Sequence, residues 1–426
     1  MSQLILAYYF PQYHSIPEND EIFGENFNDW NLFKEIENVK VDCKLPLDPP
    51  IGLGYYDPTL IDVRIKQAVL AKKYGVDGFI YYHYWLENHP VMSKVLDNLV
   101  NDNEPNIPFC ICFANESWKH SYGNKEKIFK SLHKDGSTFR QLYDDPRSHA
   151  QYLQKIFKHK NYIRINNSPI LFLYQLSPQI SIYLNAIIIE LKKYNIDNIY
   201  IIANTSYHCL RNYKNENLIR MPDAYSPFIA HEQKKLPTIL SNLPCIYGGL
   251  MGWNATLRNN NKIIINYTPD QIVKNVCKDL ILMRENITSP QIYALFAWNE
   301  WAEGAMIEPN NIYGEELGNA IKKGREISEM LYTDDRFSNL VFKYGYGETF
   351  IDITKHVYLK CIESIEEKTS DGTVQKKWII FIPKGDNNRN KLFTDIIYGI
   401  NKVIKITKNE IETIYDQNID IVLPIT

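Results

Sequence analysis

The sequence predicts a (β/α)₈ barrel followed by a small β-rich domain. Two observations lead to this fold class. Up to about residue 332, eight short apolar runs alternate with longer amphipathic stretches, and beyond Gly345 the pattern changes to closely spaced strands. Parallel strands joined by crossover helices produce such an alternation. The chain has 426 residues, which at about 150 residues per domain suffices for one large barrel with an appendage.

The predicted barrel strands are runs of apolar, β-branched or aromatic residues, as strands buried on both faces require. They span residues 4–10, 78–82, 109–113, 170–174, 199–203, 224–226, 245–247 and 291–297. Between them, apolar residues recur at helical spacing, at 60–74, 90–100, 148–159, 180–194, 268–285 and 315–331. We therefore expect the barrel to occupy residues 1–340.

A small β-rich domain is expected at residues 345–426. Five segments have the composition of strands, namely 349–353, 356–361, 377–382, 402–406 and 419–423. The dipeptide Asp371-Gly372 predicts a hairpin turn. The role of this domain does not follow from its sequence. Since the chain ends directly after an apparent strand, the sequence leaves room for further C-terminal domains.

Composition limits the classes of function. The chain is 45% hydrophobic and 23% charged with a net charge of −3, which is ordinary for a globular protein and gives no electrostatic reason to expect nucleic acid. No apolar run reaches the length of about 18 residues that a membrane span needs. The N-terminus lacks the pattern of a signal peptide, and seven scattered cysteines indicate a reducing compartment. We expect a cytoplasmic protein.

Polar and aromatic residues cluster after the predicted strands. In (β/α)₈ barrels the loops at the carboxyl ends of the strands form the site, and aromatic rings stack on sugar rings. For Tyr82 or Tyr207 taken alone, an ordinary core or rim position is an equal alternative. The candidate substrate-contacting residues are Tyr9, His14, Tyr82, Trp85, Asn115, Glu116, Tyr207 and Trp253.

The segment 296–309 carries three carboxylates, Glu300, Glu303 and Glu308, interleaved with two tryptophans. Charged groups beside indoles are costly to desolvate unless they are paired or used, and apolar surroundings raise the pKa of a carboxyl group. Glycoside hydrolysis needs two carboxyl groups on either side of a sugar bond. An acidic loop that caps the next helix would show the same composition. From composition alone both interpretations stand.

Three motifs extend this interpretation. Residues 298–304 read WNEWAEG and are followed by IEP at 307–309, residues 7–14 read AYYFPQYH, and residues 81–85 read YYHYW. In this order the chain resembles, over about residues 1–335, the WbsX-type group, whose members are called glycosyltransferases. That group is itself similar to glycoside hydrolase family 99, the endo-α-mannosidases.

The resemblance implies a retaining mechanism that needs no metal and no other cofactor. Glu300 would take the proton from the 2-hydroxyl of the sugar, which attacks to give a 1,2-anhydro intermediate. Glu303 would protonate the leaving oxygen and later deprotonate the incoming water or acceptor. Glu308 matches a third acidic position that is expected to bind sugar hydroxyls, and Trp298 and Asn299 are expected to contact the substrate.

Three functions remain open at this point. The name of the group suggests transfer from a nucleotide sugar, yet the sequence shows neither a D-x-D metal motif nor a Gly-rich phosphate loop after a strand. Cleavage or transglycosylation of α-linked glycans is therefore favoured. A glycan-binding barrel without catalysis is the third alternative. All three predict an oligosaccharide or polysaccharide as the partner.

Overall fold

The computed structural model describes residues 3–34, 48–119, 133, 137–205, 218–226, 242–254, 264–369, 371–395, 397 and 400–426. The chain forms two compact units. The first comprises Met1–Tyr267 and Asn286–Asn319, and the second comprises Thr268–Glu285 and Ala320–Thr426. Among the described residues, none of the helices combines the length and the apolar composition that a membrane-spanning segment requires.

Within the described residues, eight parallel strands form the barrel of the first unit. Strands that are neighbours along the sequence pair from the first to the sixth and from the seventh to the eighth, and the last strand also pairs with the first. A single parallel bridge between Tyr225 and Cys245 joins the sixth strand to the segment before the seventh. The predicted (β/α)₈ fold is thus confirmed. The strands are β1 (Leu4–Tyr9), β2 (Gly78–Leu86), β3 (Phe109–Phe113), β4 (Ser168–Leu173), β5 (Tyr200–Asn204), β6 (Ala224–Ser226), β7 (Tyr247–Leu250) and β8 (Ile292–Phe296).

Helices and short strands occupy the connections. Two helices start with proline in the first turn after a capping residue, since Ser148 N donates to the Asp145 carboxylate at 3.0 Å and Ile180 N donates to Ser177 Oγ at 3.3 Å. The described helices are α1 (Pro17–Phe23), α2 (Asp29–Lys34), α3 (Ile61–Lys73), α4 (Lys94–Asp102), α5 (Pro146–Phe157), α6 (Pro178–Leu191), α7 (Pro269–Glu285) and α8 (Glu316–Thr333), with 3₁₀ turns at Lys192–Tyr194 and Trp301–Glu303. The short strands are His89–Val91, Trp118–Lys119, Ser137–Phe139, Arg164–Ile165, Trp253–Asn254, Ile264–Ile265, Asn299–Glu300 and Ala305–Met306.

Aromatic side chains fill the barrel near the carboxyl ends of its strands. The Tyr8 ring lies 5.8 Å from Tyr82, 5.9 Å from Phe172 and 6.1 Å from Phe296, measured between ring centroids. Its hydroxyl donates to Asn204 Oδ1 at 3.1 Å. Since successive side chains of a strand alternate between its faces, Tyr8 faces the barrel interior and its neighbour on β1 faces the helices.

The elements that follow α8 are β9 (Leu340–Tyr346), β10 (Thr349–Asp352), α9 (Thr354–Lys360), β11 (Ile362–Lys368), β12 (Val374–Ile382), α10 (Asp386–Phe393), β13 (Val403–Lys408), β14 (Ile411–Tyr415) and β15 (Ile421–Pro424). Their strands form two antiparallel sheets, in the orders β10-β9-β13-β14 and β11-β12-β15. The hairpin turn at Asp371-Gly372 is confirmed, since it joins the antiparallel pair β11 and β12.

The strand predicted at 356–361 is wrong, because residues 356–360 lie in helix α9 and Cys361 caps its C-terminus. The buried residues of this segment, Val357, Tyr358 and Cys361, follow helical spacing.

A pair of buried histidines joins β2 to α5. His83 Nε2 lies 2.8 Å from His149 Nε2, and His149 Nδ1 lies 3.1 Å from the Tyr183 hydroxyl. The Trp85 ring stacks on His149, with the centroids 4.3 Å apart and the planes at 5°. Burial lowers the pKa of His83 to about 3 and that of His149 well below its ordinary value of 6.5. Both rings are therefore neutral at pH 7.

We expect this pair to make folding sensitive to mild acid. An unfolded histidine binds a proton below a pH of about 6.5, whereas folded His83 does not until about pH 3. The stabilisation that comes from neutral His83 is complete above the pKa of the unfolded histidine and is lost as the pH falls below that value. Between pH 7 and pH 5 the loss from His83 amounts to about 2 kcal/mol in the free energy of unfolding.

Urea unfolding of the wild type and of His83→Gln at pH 7, 6 and 5 measures this loss. The fall in unfolding free energy should be smaller in the variant, by about 2 kcal/mol. Equal falls in the two proteins would show that His83 does not carry the pH dependence.

Candidate functional site

Residues 298–308 form a short antiparallel hairpin at the carboxyl end of β8. Asn299–Glu300 pairs with Ala305–Met306, and the 3₁₀ turn Trp301–Glu303 connects the two. Gly304 ends the turn with a φ of 61°, a left-handed conformation that favours glycine. The hairpin therefore holds its first carboxylate on a strand and its second on a tight turn, three residues further on.

Neighbouring elements fix the turn Trp301–Glu303. Helix α2 contacts it, and the Trp301 ring lies 6.1 Å from Trp30 and 5.6 Å from Phe33, measured between centroids. Trp301 itself is fully buried. This packing limits the positions that the turn can adopt.

The loop after β7 also packs on the turn. The strand Trp253–Asn254 contacts Trp301–Glu303, and the Trp253 ring lies 5.9 Å from Phe296. A Cβ atom at Gly252 would stand 2.8 Å from the Gly304 carbonyl oxygen, closer than side-chain carbons approach. Glycine at 252 thus permits the loop to lie against the hairpin.

The rings of Tyr8, Tyr82, Phe172 and Phe296 form the aromatic mouth of the barrel, and Glu300 lies beside it. Glu300 is 4% exposed, and Tyr82 is 8% exposed. Burial, and secondarily the charge of Glu300, raises the pKa of Tyr82 well above 10. The Tyr13 hydroxyl donates to the Asn299 carbonyl and accepts from Trp301 N at 3.3 Å. Tyr13 thus anchors the backbone on both sides of Glu300, whereas Glu303 is half-buried on the turn.

Glu308 occupies a different environment from the other two carboxylates. It is fully buried, and its two oxygens accept four side-chain hydrogen bonds. Oε1 accepts from Gln67 Nε2 at 2.7 Å and from Trp298 Nε1 at 3.0 Å. Oε2 accepts from the Tyr56 hydroxyl at 3.0 Å and from Trp301 Nε1 at 2.8 Å. Burial raises the pKa of Glu308 to about 7, while the four donors act in the opposite direction.

The same network reaches β1 and the segment after it. The Tyr9 hydroxyl donates to Gln67 Oε1 at 2.7 Å, which links β1 to α3. Asn299 Nδ2 donates to the Phe10 carbonyl at 2.9 Å and to the Tyr56 hydroxyl at 3.1 Å, and Phe10 N donates to Asn299 Oδ1 at 2.8 Å. Trp298, which also donates to this network, packs on Phe79 with the ring centroids 5.2 Å apart.

Four of the predicted substrate contacts therefore belong to this buried network, which also includes Gln67 of α3. They contact one another and the protein scaffold, and they are 0% exposed. This position favours a role in holding the hairpin over direct contact with a substrate. The four residues are Tyr9, Trp298, Asn299 and Glu308.

Asn115 connects the loops that follow β3 and β4. Its Nδ2 donates to the Gln175 carbonyl at 2.9 Å, its Oδ1 accepts from Gln175 N at 2.8 Å, and the Tyr143 hydroxyl donates to the Asn115 carbonyl at 3.1 Å. Gln175 Nε2 donates to Glu116 Oε2 at 2.9 Å. These bonds orient the half-buried Glu116 at the carboxyl end of β3.

A cavity of about 410 Å³ lies next to the loop after β1. His14 is 5% exposed, its Nδ1 lies 3.0 Å from the Pro11 carbonyl, and its Nε2 has no hydrogen-bond partner within the described part of the chain. Burial lowers its pKa, and the charge of Asp57 opposes this shift. Two of the residues that line the cavity, Tyr13 and Tyr56, also form hydrogen bonds with residues of the hairpin 298–308. Its lining residues are Tyr13, His14, Ser15, Asn26, Asn28, Trp30, Asn31, Lys34, Tyr55, Tyr56 and Asp57.

Two predicted substrate contacts remain, Trp85 and Tyr207. Trp85 is buried against His149, and Tyr207 lies outside the described residues. Sequence patterns do not identify Gln67 and Tyr56 as partners of Glu308, although a glutamine on the buried face of α3 is a signal that could have been followed. Among the described residues, no group of three or more His, Cys, Asp or Glu side chains is placed to hold a metal ion.

Curated relatives match only part of the chain. WxcX proteins from two strains of Xanthomonas campestris pv. campestris, described as uncharacterised, are 28% identical over 174 residues. The match covers 40% of this chain and 24% of each relative. The chain thus matches about a quarter of the length of these relatives.

Solved structures with similar topology cover most of the chain at low identity. A glycoside hydrolase-like protein is 16% identical, with a TM-score of 0.49, over 76% of this chain and 93% of its own. The GH99 endo-α-mannosidase from Bacteroides thetaiotaomicron is 14% identical, with a TM-score of 0.44, over 78% of this chain and 99% of its own. These likenesses are too distant to assign an activity.

The family comparison covers more than half of the chain. The model of the glycosyltransferase WbsX family matches residues 5–243 and 211–321. This region includes the barrel strands β1 to β8 and the hairpin 298–308. The chain therefore belongs to the WbsX glycosyltransferase family.

Proposed function

We propose that this protein is a carbohydrate-active enzyme that cleaves or transfers α-linked glycosyl units with retention, through Glu300 and Glu303. The observation that carries the proposal is the hairpin 298–308, which holds both carboxylates at the carboxyl end of β8. Barrel enzymes place their reacting groups at this end of the strands. Membership in a family named for glycosyl transfer supports a carbohydrate substrate.

The proposed reaction has two steps. In the first, the Glu300 carboxylate takes the proton of the sugar 2-hydroxyl, O2 bonds to C1, the bond from C1 to the leaving oxygen breaks, and Glu303 protonates that oxygen. In the second, Glu303 takes a proton from water or an acceptor hydroxyl, whose oxygen bonds to C1. The bond from C1 to O2 then breaks, and Glu300 returns the proton to O2. Two inversions at C1 give net retention, and both carboxyl groups return to their initial states.

The environments of the two carboxylates are compatible with these roles. Glu300 is almost fully enclosed next to Tyr82 and is fixed through its backbone neighbours, as a base that must meet one hydroxyl requires. Glu303 is more exposed, as a group that meets both the leaving group and the incoming acceptor requires. If water has little access, a sugar hydroxyl can capture the intermediate, and the same site then performs transfer.

Transfer from a nucleotide sugar is the second candidate function, and the name of the family favours it. It predicts a different dependence on substrate. An α-linked oligosaccharide alone would then give no product, and a nucleotide sugar would be needed as the donor.

We expect the protein to turn over α-linked oligosaccharides in the absence of any nucleotide. Proton NMR of the anomeric signals measures this reaction. The first product formed should have the α configuration. Glu300→Gln and Glu303→Gln should each lower kcat by about 10²- to 10⁴-fold, because a positioned acid or base contributes that much. Glu348→Gln, which changes an exposed carboxylate, serves as the matched control and should retain full activity.

Other outcomes separate the alternatives. Product that forms only with a nucleotide sugar would replace the proposal by nucleotide-dependent transfer. Glycan binding without turnover in the wild type, unaltered in Glu303→Gln, would indicate a binding protein.

Glycosyl fluorides should distinguish the roles of the two carboxylates. Fluoride leaves without help from a general acid, so Glu303→Gln should still release about one equivalent in the first turnover from the α-fluorides of mono- and disaccharides. In Glu300→Gln the rate of this first fluoride release should fall by about 10²-fold or more, because the attack by O2 still needs its base. The measurement is rapid-quench fluoride release. A burst that survives in Glu300→Gln and disappears in Glu303→Gln would reverse the assigned roles.

A further inference from the structure

We propose that Glu308 is a positioning residue, whose carboxylate holds the two indoles on either side of Asn299–Glu300 and thereby fixes Glu300 for reaction. The inference concerns a residue that the proposed reaction does not use. Its kinetic part rests on the proposed function of Glu300, whereas its structural part does not.

The arrangement of donors around Glu308 is the first step of the argument. Each carboxylate oxygen accepts from one indole, Oε1 from Trp298 Nε1 at 3.0 Å and Oε2 from Trp301 Nε1 at 2.8 Å. An indole N–H can donate but cannot accept. A group at this position must therefore present an acceptor in both directions, which an ionised carboxylate does.

A side-chain amide cannot replace the carboxylate. In Glu308→Gln, the NH₂ group must face either the Trp298 indole or the Trp301 indole, and two donors then face each other. The other two partners can adapt, because the Tyr56 hydroxyl can rotate and the Gln67 amide can flip. The indoles have no such freedom. The substitution thus breaks one of the two indole bonds whichever way the amide is oriented.

Burial prevents water from repairing the broken bond. Glu308, Trp298 and Trp301 are each 0% exposed, and Trp301 is packed against Trp30 and Phe33. An indole donor left without an acceptor in this setting can regain one only if the backbone that carries it moves. A buried donor without a partner is costly enough to drive such a movement.

The backbone in question is the one that carries Glu300. Trp298 and Trp301 directly flank Asn299–Glu300, and the pairing of this strand with Ala305–Met306 continues into Ile307 N, which donates to the Trp298 carbonyl at 2.9 Å. Displacement of either indole therefore displaces the strand. A misplacement of about 1 Å in a reacting group can lower a rate by about 10²-fold.

The kinetic test uses Glu308→Gln on the α-linked oligosaccharide that the wild type turns over. We expect kcat to fall by about 10²-fold with KM within about twofold, because Glu308 does not contact the substrate. Adding Trp301→Phe to this variant removes the donor that opposes the amide, and the NH₂ group can then donate to Tyr56. The double variant should therefore be at least about tenfold faster than Glu308→Gln. Loss of kcat without this rescue, or an unchanged kcat, would overturn the proposal.

A second readout does not depend on activity. The measurement uses protein labelled with ¹⁵N-tryptophan at a pH above the raised pKa of Glu308, which is about 7, so that the carboxylate is ionised. The indole proton signals of Trp298 and Trp301, identified through Trp298→Phe and Trp301→Phe, should then lie far downfield because they bond to a charged acceptor. In Glu308→Gln at least one should move upfield. If no glycan is turned over, the proposed function fails, and the indole signals still decide whether Glu308 holds the hairpin. Unmoved signals would overturn the proposal.

Two further variants test the proposal if Glu308→Gln does not fold. Trp298→Phe and Trp301→Phe in the otherwise wild-type protein each remove one bond to Glu308 while keeping an aromatic ring. Each should lower kcat more than KM changes. Full activity in both would also overturn the proposal. Glu348→Gln again provides the matched control.

Discussion

One buried carboxylate organises the end of the barrel where the candidate site lies. Glu308 accepts bonds from Tyr56, Gln67, Trp298 and Trp301, so a single group connects α3, the segment before it and the hairpin after β8. Burying a charge is unfavourable unless donors replace its hydration. Four donors around two oxygens replace part of this hydration, and they also fix the relative positions of the elements that supply them.

The three glutamates of the motif therefore lie in two different environments. Glu300 and Glu303 lie on the strand and turn of the hairpin, next to the aromatic mouth of the barrel. Glu308 instead accepts a hydrogen bond from Gln67 of α3 and is fully buried. A reacting group needs neighbours that are themselves held in place by packing and hydrogen bonds. Under the proposed function, the hairpin would supply both the reacting groups and part of their support within eleven residues, 298–308.

Much of the fold follows from local sequence. Eight apolar runs mark the barrel strands, and the helical spacing between them marks the crossover helices, because each element needs one side against the core. The failure at 356–361 has a local cause, since a short segment rich in β-branched and aromatic residues has the composition of a strand, whereas its burial at Val357, Tyr358 and Cys361 is helical. The separation of α7 from the barrel unit has no signal in the sequence.

The sequence by itself determined the fold class, the family and the position of the carboxylate-rich hairpin at the end of the last barrel strand, since these depend on periodicity and on residues close together in the chain. Only the tertiary structure decided which face each residue of the motif occupies. Trp298, Asn299 and Glu308 have the composition of a sugar site, yet their partners Tyr56, Gln67 and Phe10 lie some 240 to 290 residues away along the chain. Such partners are brought together only when the barrel closes, because strand pairing places the first strand beside the last.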